Sequence, residues 1–216
     1  MSREIADRLR SIADALVSNE ISDEAGAEVL GHLDAAHRII DSFPHGSLYR
    51  VIPKGMPTMH LMEGAAAAEA AGSTHPFRLH SPIVGVRNPE APPAVFTWSD
   101  ERVIGTCTYG ARYEGAPGCV HGGFIAAVFD DCLGIAQGLS GQGGMTAFLN
   151  VQYRRPHLLH RLIKFEAWVE SVNGRKILCR GTSTDTDTGE PLAECEALFL
   201  SIDWAKIREA AVDRLM

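Results

Sequence analysis

Four successive segments between residues 145 and 202 alternate apolar and polar side chains, and only one apolar helix precedes them to cover the face they would bury. The segments are MTAFLNVQYRRP, LIKFEAWVESV, KILCRGTSTDT and PLAECEALFLSI, with NGRK and DTGEP as intervening turns. Strands joined by such short turns pair antiparallel, and alternation commits one face of the sheet to a core. The cover available is the helix that opens on His121-Gly122-Gly123 and runs to about Gly138. A further pair of alternating strands, around a polar turn at Ser99–Arg102, precedes it. The order reads as α+β: an antiparallel sheet on one long central helix.

That helix begins unusually, as PGCVHGGFIAAVFDDCLGIA. Its first N–H groups lack intrahelical acceptors and carry partial positive charge, and glycine there lets another group come close. Gly122 and Gly123 therefore form a donor site suited to a carbonyl oxygen that gains negative charge during acyl transfer. Ile125, Val128, Phe129, Cys132, Leu133 and Ala136 make the apolar side. Asp130 shares a stripe with Gly123, Ala126, Ala127 and Gly134, all small, where a partly desolvated carboxylate would be a stronger base. Asp131 ranks second, and an arrangement with both acids facing solvent is equally consistent with the residues alone.

Upstream, Ile5, Leu9, Ile12 and Leu16, then Val29, Leu33, Ala36 and Ile40, recur at helical spacing, with Ser22 before Asp23 and Glu24 as an N-cap. Residues 3–42 thus predict a helical hairpin, read as a packing extension with nothing chemical on it. An alanine-rich stretch, MEGAAAAEAAGSTH, and an extended proline-rich connection, SPIVGVRNPEAPP, follow. The expected division is residues 1–80 as helical and irregular extension, 81–204 as the main domain, and 205–216 as a helical tail.

The 216 residues carry a net charge of -7, which disfavours nucleic acid as a partner. Five cysteines without a C-x-x-C pair argue against a disulfide framework or zinc site, and His75, His80, His157 and His160 are too scattered for a metal. With no secretory h-region and with Glu4 and Asp7 near the start, a cytoplasmic setting is expected. No apolar run is read as spanning a bilayer.

His121-Gly122-Gly123 with an acid nine positions after the histidine resembles the PaaI-type hotdog-fold acyl-CoA thioesterases. YEGAPGCV, TAFLNVQYRRP and NGRK resemble the subgroup of thioesterase superfamily members 4 and 5. The likeness covers about residues 81–202. It implies a hotdog fold, with an N-terminal helical extension outside the match, and homodimers or dimers of dimers with active sites at the dimer interface. It also implies acyl-CoA as substrate and no cofactor beyond the coenzyme A of that substrate. By the same likeness Asp130 is general base or nucleophile, Gly122 N–H polarises the thioester carbonyl, and Thr146 places the attacking water. His121 is a positioning group at the helix start. Gly123 borders the substrate, and Gln152, Lys164, Arg175 and Lys176 match positions that contact coenzyme A.

Two departures stand out. Many members of the family place an asparagine six residues before the histidine, where this chain has Gly115. A short turn after Arg-Pro is replaced by His157-Leu158-Leu159-His160. The alternatives to hydrolysis are a hotdog dehydratase or hydratase, and a non-hydrolytic acyl-CoA sensor.

Overall fold

The computed structural model describes residues 2–43, 81–92, 94–99 and 101–202. Helices α1 (Ser2–Ser18) and α2 (Asp23–Asp41) form the expected N-terminal pair. Ser22 caps α2, its hydroxyl accepting from the Ala25 N–H. Strands β1 (Val95–Trp98) and β2 (Val103–Thr108) are followed by a 3-10 turn at Ala111–Tyr113 and by helix α3 (Gly122–Ala136). A second 3-10 turn, Gln137–Ser140, leads to β3 (Gly144–Tyr153), β4 (Leu162–Asn173), β5 (Lys176–Asp185) and β6 (Pro191–Ser201). The alanine-rich stretch and the expected tail at 205–216 lie outside the described residues.

The six strands make one antiparallel sheet in the order β1-β2-β4-β5-β6-β3. Consecutive strands β4, β5 and β6 pair as hairpins, as their short turns require. β3 does not pair with its sequence neighbour β4. It lies beyond β6, because α3 carries the chain across the inner face of the sheet, from beside β2 to the far edge. The result is a sheet wrapped on one helix, the hotdog arrangement. β3 therefore has a partner on one side only, and most of its residues are exposed.

The core follows from alternation. Ile163, Phe165 and Ala167 of β4, Ile177 and Cys179 of β5, and Cys195, Ala197 and Phe199 of β6 point inward. They meet Ile125, Val128, Phe129, Cys132 and Leu133 of α3. Phe129 and Phe165 pack edge to face with centroids 5.0 Å apart. Each Ile, Val, Leu or Phe among them, fully buried, contributes roughly 1.5–3 kcal/mol. Gly122–Ser140 has a mean hydropathy of 1.2 over its best window and is long and apolar enough to cross a bilayer by length and composition, which corrects the sequence reading on that point. Here its apolar side packs on the sheet. All five cysteines are free.

Two expectations for the N-terminal half are corrected. Residues 81–92 are not extended but form a series of turns, with Gly85 N–H bonding Ser81 O and Asn88 N–H bonding Gly85 O. The cause lies on α1. The Arg10 guanidinium, 6% exposed, donates to the carbonyls of Gly85, Val86, Asn88 and Ala91, which must all turn inward to meet it. α1 thus carries a buried charge whose hydrogen bonds order the chain before β1, and is more than a greasy cover. α2 buries none of its residues among those described.

Candidate active site

The loop that launches α3 is built tightly. Glu114 bridges Val120, Gly115 N–H bonds Cys119 O, and the Glu114 carboxylate accepts from Gly118 N–H, Gly118 having a positive φ of 73°. The His157–His160 segment pins this loop from outside: Val120 N–H donates to His157 O and Leu159 N–H to Gly118 O. His157 is itself buried, with Nε2 2.8 Å from Ser183 Oγ on β5. The unusual segment is therefore a brace under the helix start.

His121 is the N-cap of α3, its Nδ1 accepting from Gly123 N–H at 3.1 Å. In the neutral ring this leaves the proton on Nε2, so the imidazole can donate a hydrogen bond but has no free lone pair to act as a base. His121 N–H donates to Tyr113 O. The next peptide is held by Tyr153 on β3, whose hydroxyl donates to Gly122 O at 2.7 Å. Between these two anchors, Gly122 N–H has no acceptor among the described residues. A side chain at Gly122 would bring its Cβ to 3.3 Å from the Tyr153 ring, so glycine keeps that approach open. Tyr153 was not singled out from the sequence, because its contact is to a main-chain atom 31 residues earlier. Desolvation raises its pKa.

Asp130 and Thr146 are brought together, with the threonine hydroxyl donating to Asp130 Oδ1 at 2.9 Å. A β-bulge makes this possible. Thr146 and Phe148 are two apart and would share a face in a regular strand. A register shift between them sets Thr146 opposite the inward Phe199, and Phe148 opposite Leu198. Asp131 faces elsewhere and accepts from Ser81 Oγ at 3.2 Å. The small residues beside Asp130, namely Ala126, Ala127 and Gly134, remain partly accessible, as does Gly123.

The candidate coenzyme A contacts are not assembled in one chain. Lys164 lies opposite Thr184 and bonds Glu166 at 2.8 Å, whereas Lys176 is eight residues from Thr184 along β5. At about 3.3 Å per residue the two lysines are roughly 25 Å apart. Arg175, beside Lys176, donates to Ser201 O, and Gln152 accepts from Arg154. Gln152 also borders a concavity of about 410 Å³ on the outer face of the sheet, with Trp168, Arg180 and Glu194. None of Asp130, Gly122, His121 and Thr146 lines it. Among the described residues no cluster of His, Cys, Asp and Glu is placed to hold a metal.

Gly115 explains the absent asparagine. A Cβ built there would lie 2.8 Å from His121 Cα, so the position from which a second donor would reach is filled by the chain's own backbone.

Residues 117–191, which include the helix start, Asp130, Thr146 and Tyr153, match the sequence model of the thioesterase superfamily. The stretch that holds the candidate site is thus similar to the thioesterase superfamily. Acyl-coenzyme A thioesterase THEM4 of Mus musculus is 31% identical over 107 residues, 48% of this chain and 45% of that protein. The Xenopus laevis THEM4 is 26% identical over 176 residues, 79% of this chain and 75% of that protein. The chain thus spans less than half the length of the mouse relative it matches. A crystal structure of a thioesterase superfamily protein superposes with a TM-score of 0.76 at 29% identity, covering 93% of this chain and 95% of the other. The chain, N-terminal helices included, is therefore similar to that solved structure over nearly its whole length.

Proposed function

We propose that this chain hydrolyses acyl-CoA thioesters at sites shared between two copies. One observation carries the reading. Gly122 and Asp130 lie eight residues apart on α3, which at 1.5 Å per residue separates them by about 12 Å. A donor bonded to a carbonyl oxygen and a base activating water at the same carbon must lie within a few ångströms of each other. One chain therefore cannot supply both to one thioester, whereas two copies related by a two-fold axis can, each contributing its helix start to the other's acid. The one-sided edge strand β3, with Met145, Phe148 and Tyr153 exposed, favours β3 as the edge at which the copies meet.

In this reading the thioester oxygen accepts from Gly122 N–H of one copy. Asp130 of the other, oriented by Thr146, removes a proton from water as the water oxygen attacks the carbonyl carbon. The C–S bond then breaks, coenzyme A leaves as thiolate and takes up a proton, and the carboxylic acid is released. Direct attack by Asp130, giving a mixed anhydride that water then opens, uses the same groups. Water and thioester are the only reactants. Gln152, Lys164, Arg175 and Lys176 contribute to phosphate and pantetheine binding only if the two copies bring them near the same ligand. A cytoplasmic setting is part of the proposal.

The packed Gly115 favours one alternative, an acyl-CoA sensor that binds without turnover, since it leaves the carbonyl with a single backbone donor. The hydratase reading loses ground because His121 has no free basic nitrogen. The deciding experiment measures thiol release from short, medium and long acyl-CoAs by wild type and Asp130→Asn. Turnover lost by at least 100-fold in the variant, with acyl-CoA binding retained, supports hydrolysis through Asp130. Saturable binding by wild type without turnover transfers the assignment to the sensor.

A further inference from the structure

We infer that helix α1 is a positioning element of the candidate active site, acting through Asp14 and Arg112 on the Gly122 amide; the inference rests on the hydrolase reading above. The connection is a short series of contacts. Asp14 on α1 reaches across to the 3-10 turn at Ala111–Tyr113, where Oδ1 accepts the Arg112 backbone N–H at 3.1 Å and Oδ2 pairs with Arg112 Nη1 at 3.0 Å. It caps, from a different element, a turn that has no side-chain cap of its own. The approach is close enough that a Cβ at Gly110 would fall 2.5 Å from Asp14 Oδ2, so the turn carries glycine where the carboxylate enters.

Arg112 then hands the constraint on. Its Nη1 also donates to Arg10 O, its Nη2 donates to the Tyr113 hydroxyl at 2.6 Å, and its guanidinium lies 4.4 Å over the Tyr113 ring. The Tyr113 hydroxyl in turn donates to Glu90 O, in the turns that Arg10 gathers. Tyr113 is fully buried, and its ring meets Phe124, in the first turn of α3, edge to face at 4.8 Å. Its carbonyl accepts His121 N–H at 2.8 Å. Gly122 N–H belongs to the very next peptide. Tyr113 thus holds both the residue before the proposed carbonyl donor and the residue two after it. The side chain that fixes Tyr113 is itself fixed from α1.

The Asp14 carboxylate meets the domain at Arg112 and against Gly110, so substituting it tests this contact. The 216-residue wild type, Asp14→Ala, Asp14→Asn and the exposed-face control Leu16→Ala are compared for kcat, KM, thermal midpoint and amide hydrogen exchange over residues 119–125. Asp14→Asn retains an acceptor for the Arg112 N–H but not the charge. We expect kcat to fall about 10-fold in Asp14→Ala and by less in Asp14→Asn, with KM within about twofold. Exchange at 119–125 should rise about 10-fold in Asp14→Ala, and Leu16→Ala should change neither. A lowered thermal midpoint with kcat and exchange both unchanged assigns Asp14 to stability alone and overturns the inference. If wild type shows no turnover, the hydrolase reading fails by itself. Exchange at 119–125 then decides the structural coupling: unchanged exchange in Asp14→Ala overturns it, and raised exchange upholds it.

Discussion

Acidification should loosen this fold through a single buried imidazole. His157 is 1% exposed, its Nε2 lies against Ser183 Oγ, and burial pushes its pKa down to about 4, with the Arg155 carbonyl opposing the shift. In the unfolded chain the value returns to about 6.5. The folded value is the lower one, so the unfolded state binds more protons between those limits. Stability from this group is complete above pH 6.5 and is lost as pH falls toward 4. At about 1.36 kcal/mol per unit, the 1.5 units between 6.5 and 5 amount to about 2 kcal/mol. Urea unfolding at pH 7 and pH 5 measures this directly, with His157→Gln as the non-titrating control. Wild type should lose about 2 kcal/mol more than the control between those conditions. Because the His157 carbonyl holds Val120 N–H next to the start of α3, acyl-CoA turnover should fall over the same window. Equal losses in wild type and His157→Gln would refute the reasoning, since they would place the titration elsewhere.

Two substitutions probe the site more narrowly. Gly115→Asn introduces the side chain that the family resemblance places there, but its Cβ meets His121 Cα at 2.8 Å, so it should cost about 1–3 kcal/mol in urea unfolding and lower kcat rather than raise it. Tyr153→Phe removes one neutral hydrogen bond to Gly122 O and should cost about 1 kcal/mol or less in stability, while a tenfold or greater fall in kcat at unchanged KM would mark the tyrosine as fixing the Gly122 peptide.

What could be read along the chain is what short-range chemistry writes there. The period of two in β4, β5 and β6, and the turns between them, specified three hairpin-linked strands whose inward residues are those that alternate in the sequence. The helix start at His121-Gly122-Gly123 was legible because an N-terminus exposes N–H groups whatever surrounds it. The two helices before residue 42 were legible from their spacing and from the Ser22 cap. Arg10 and Asp14 were missed for the converse reason. Their partners are carbonyls, a backbone N–H and Arg112, some 75 to 102 residues away, and nothing in an amphipathic helix pattern marks a charge as buried.

The tertiary structure alone decided three things. It placed β3 beyond β6 instead of beside β4, because only the path of α3 across the sheet determines which edge the chain reaches next. It turned Thr146 toward Asp130 through a bulge, which breaks the alternation from which a side chain's face is otherwise inferred. It set Gly115 against His121, a contact between backbones that no side-chain pattern reports. Local pattern settled which elements form and, for α3 and β4 to β6, which faces they bury, since propensity, periodicity and capping act over a few residues. In α1 it did not settle the face, because the spaced Ile5, Ile12 and Leu16 stay exposed while Ala6 and Arg10 are buried. Which edge stays open and which groups meet depend on contacts between distant segments, and those exist only once the chain has closed on its helix.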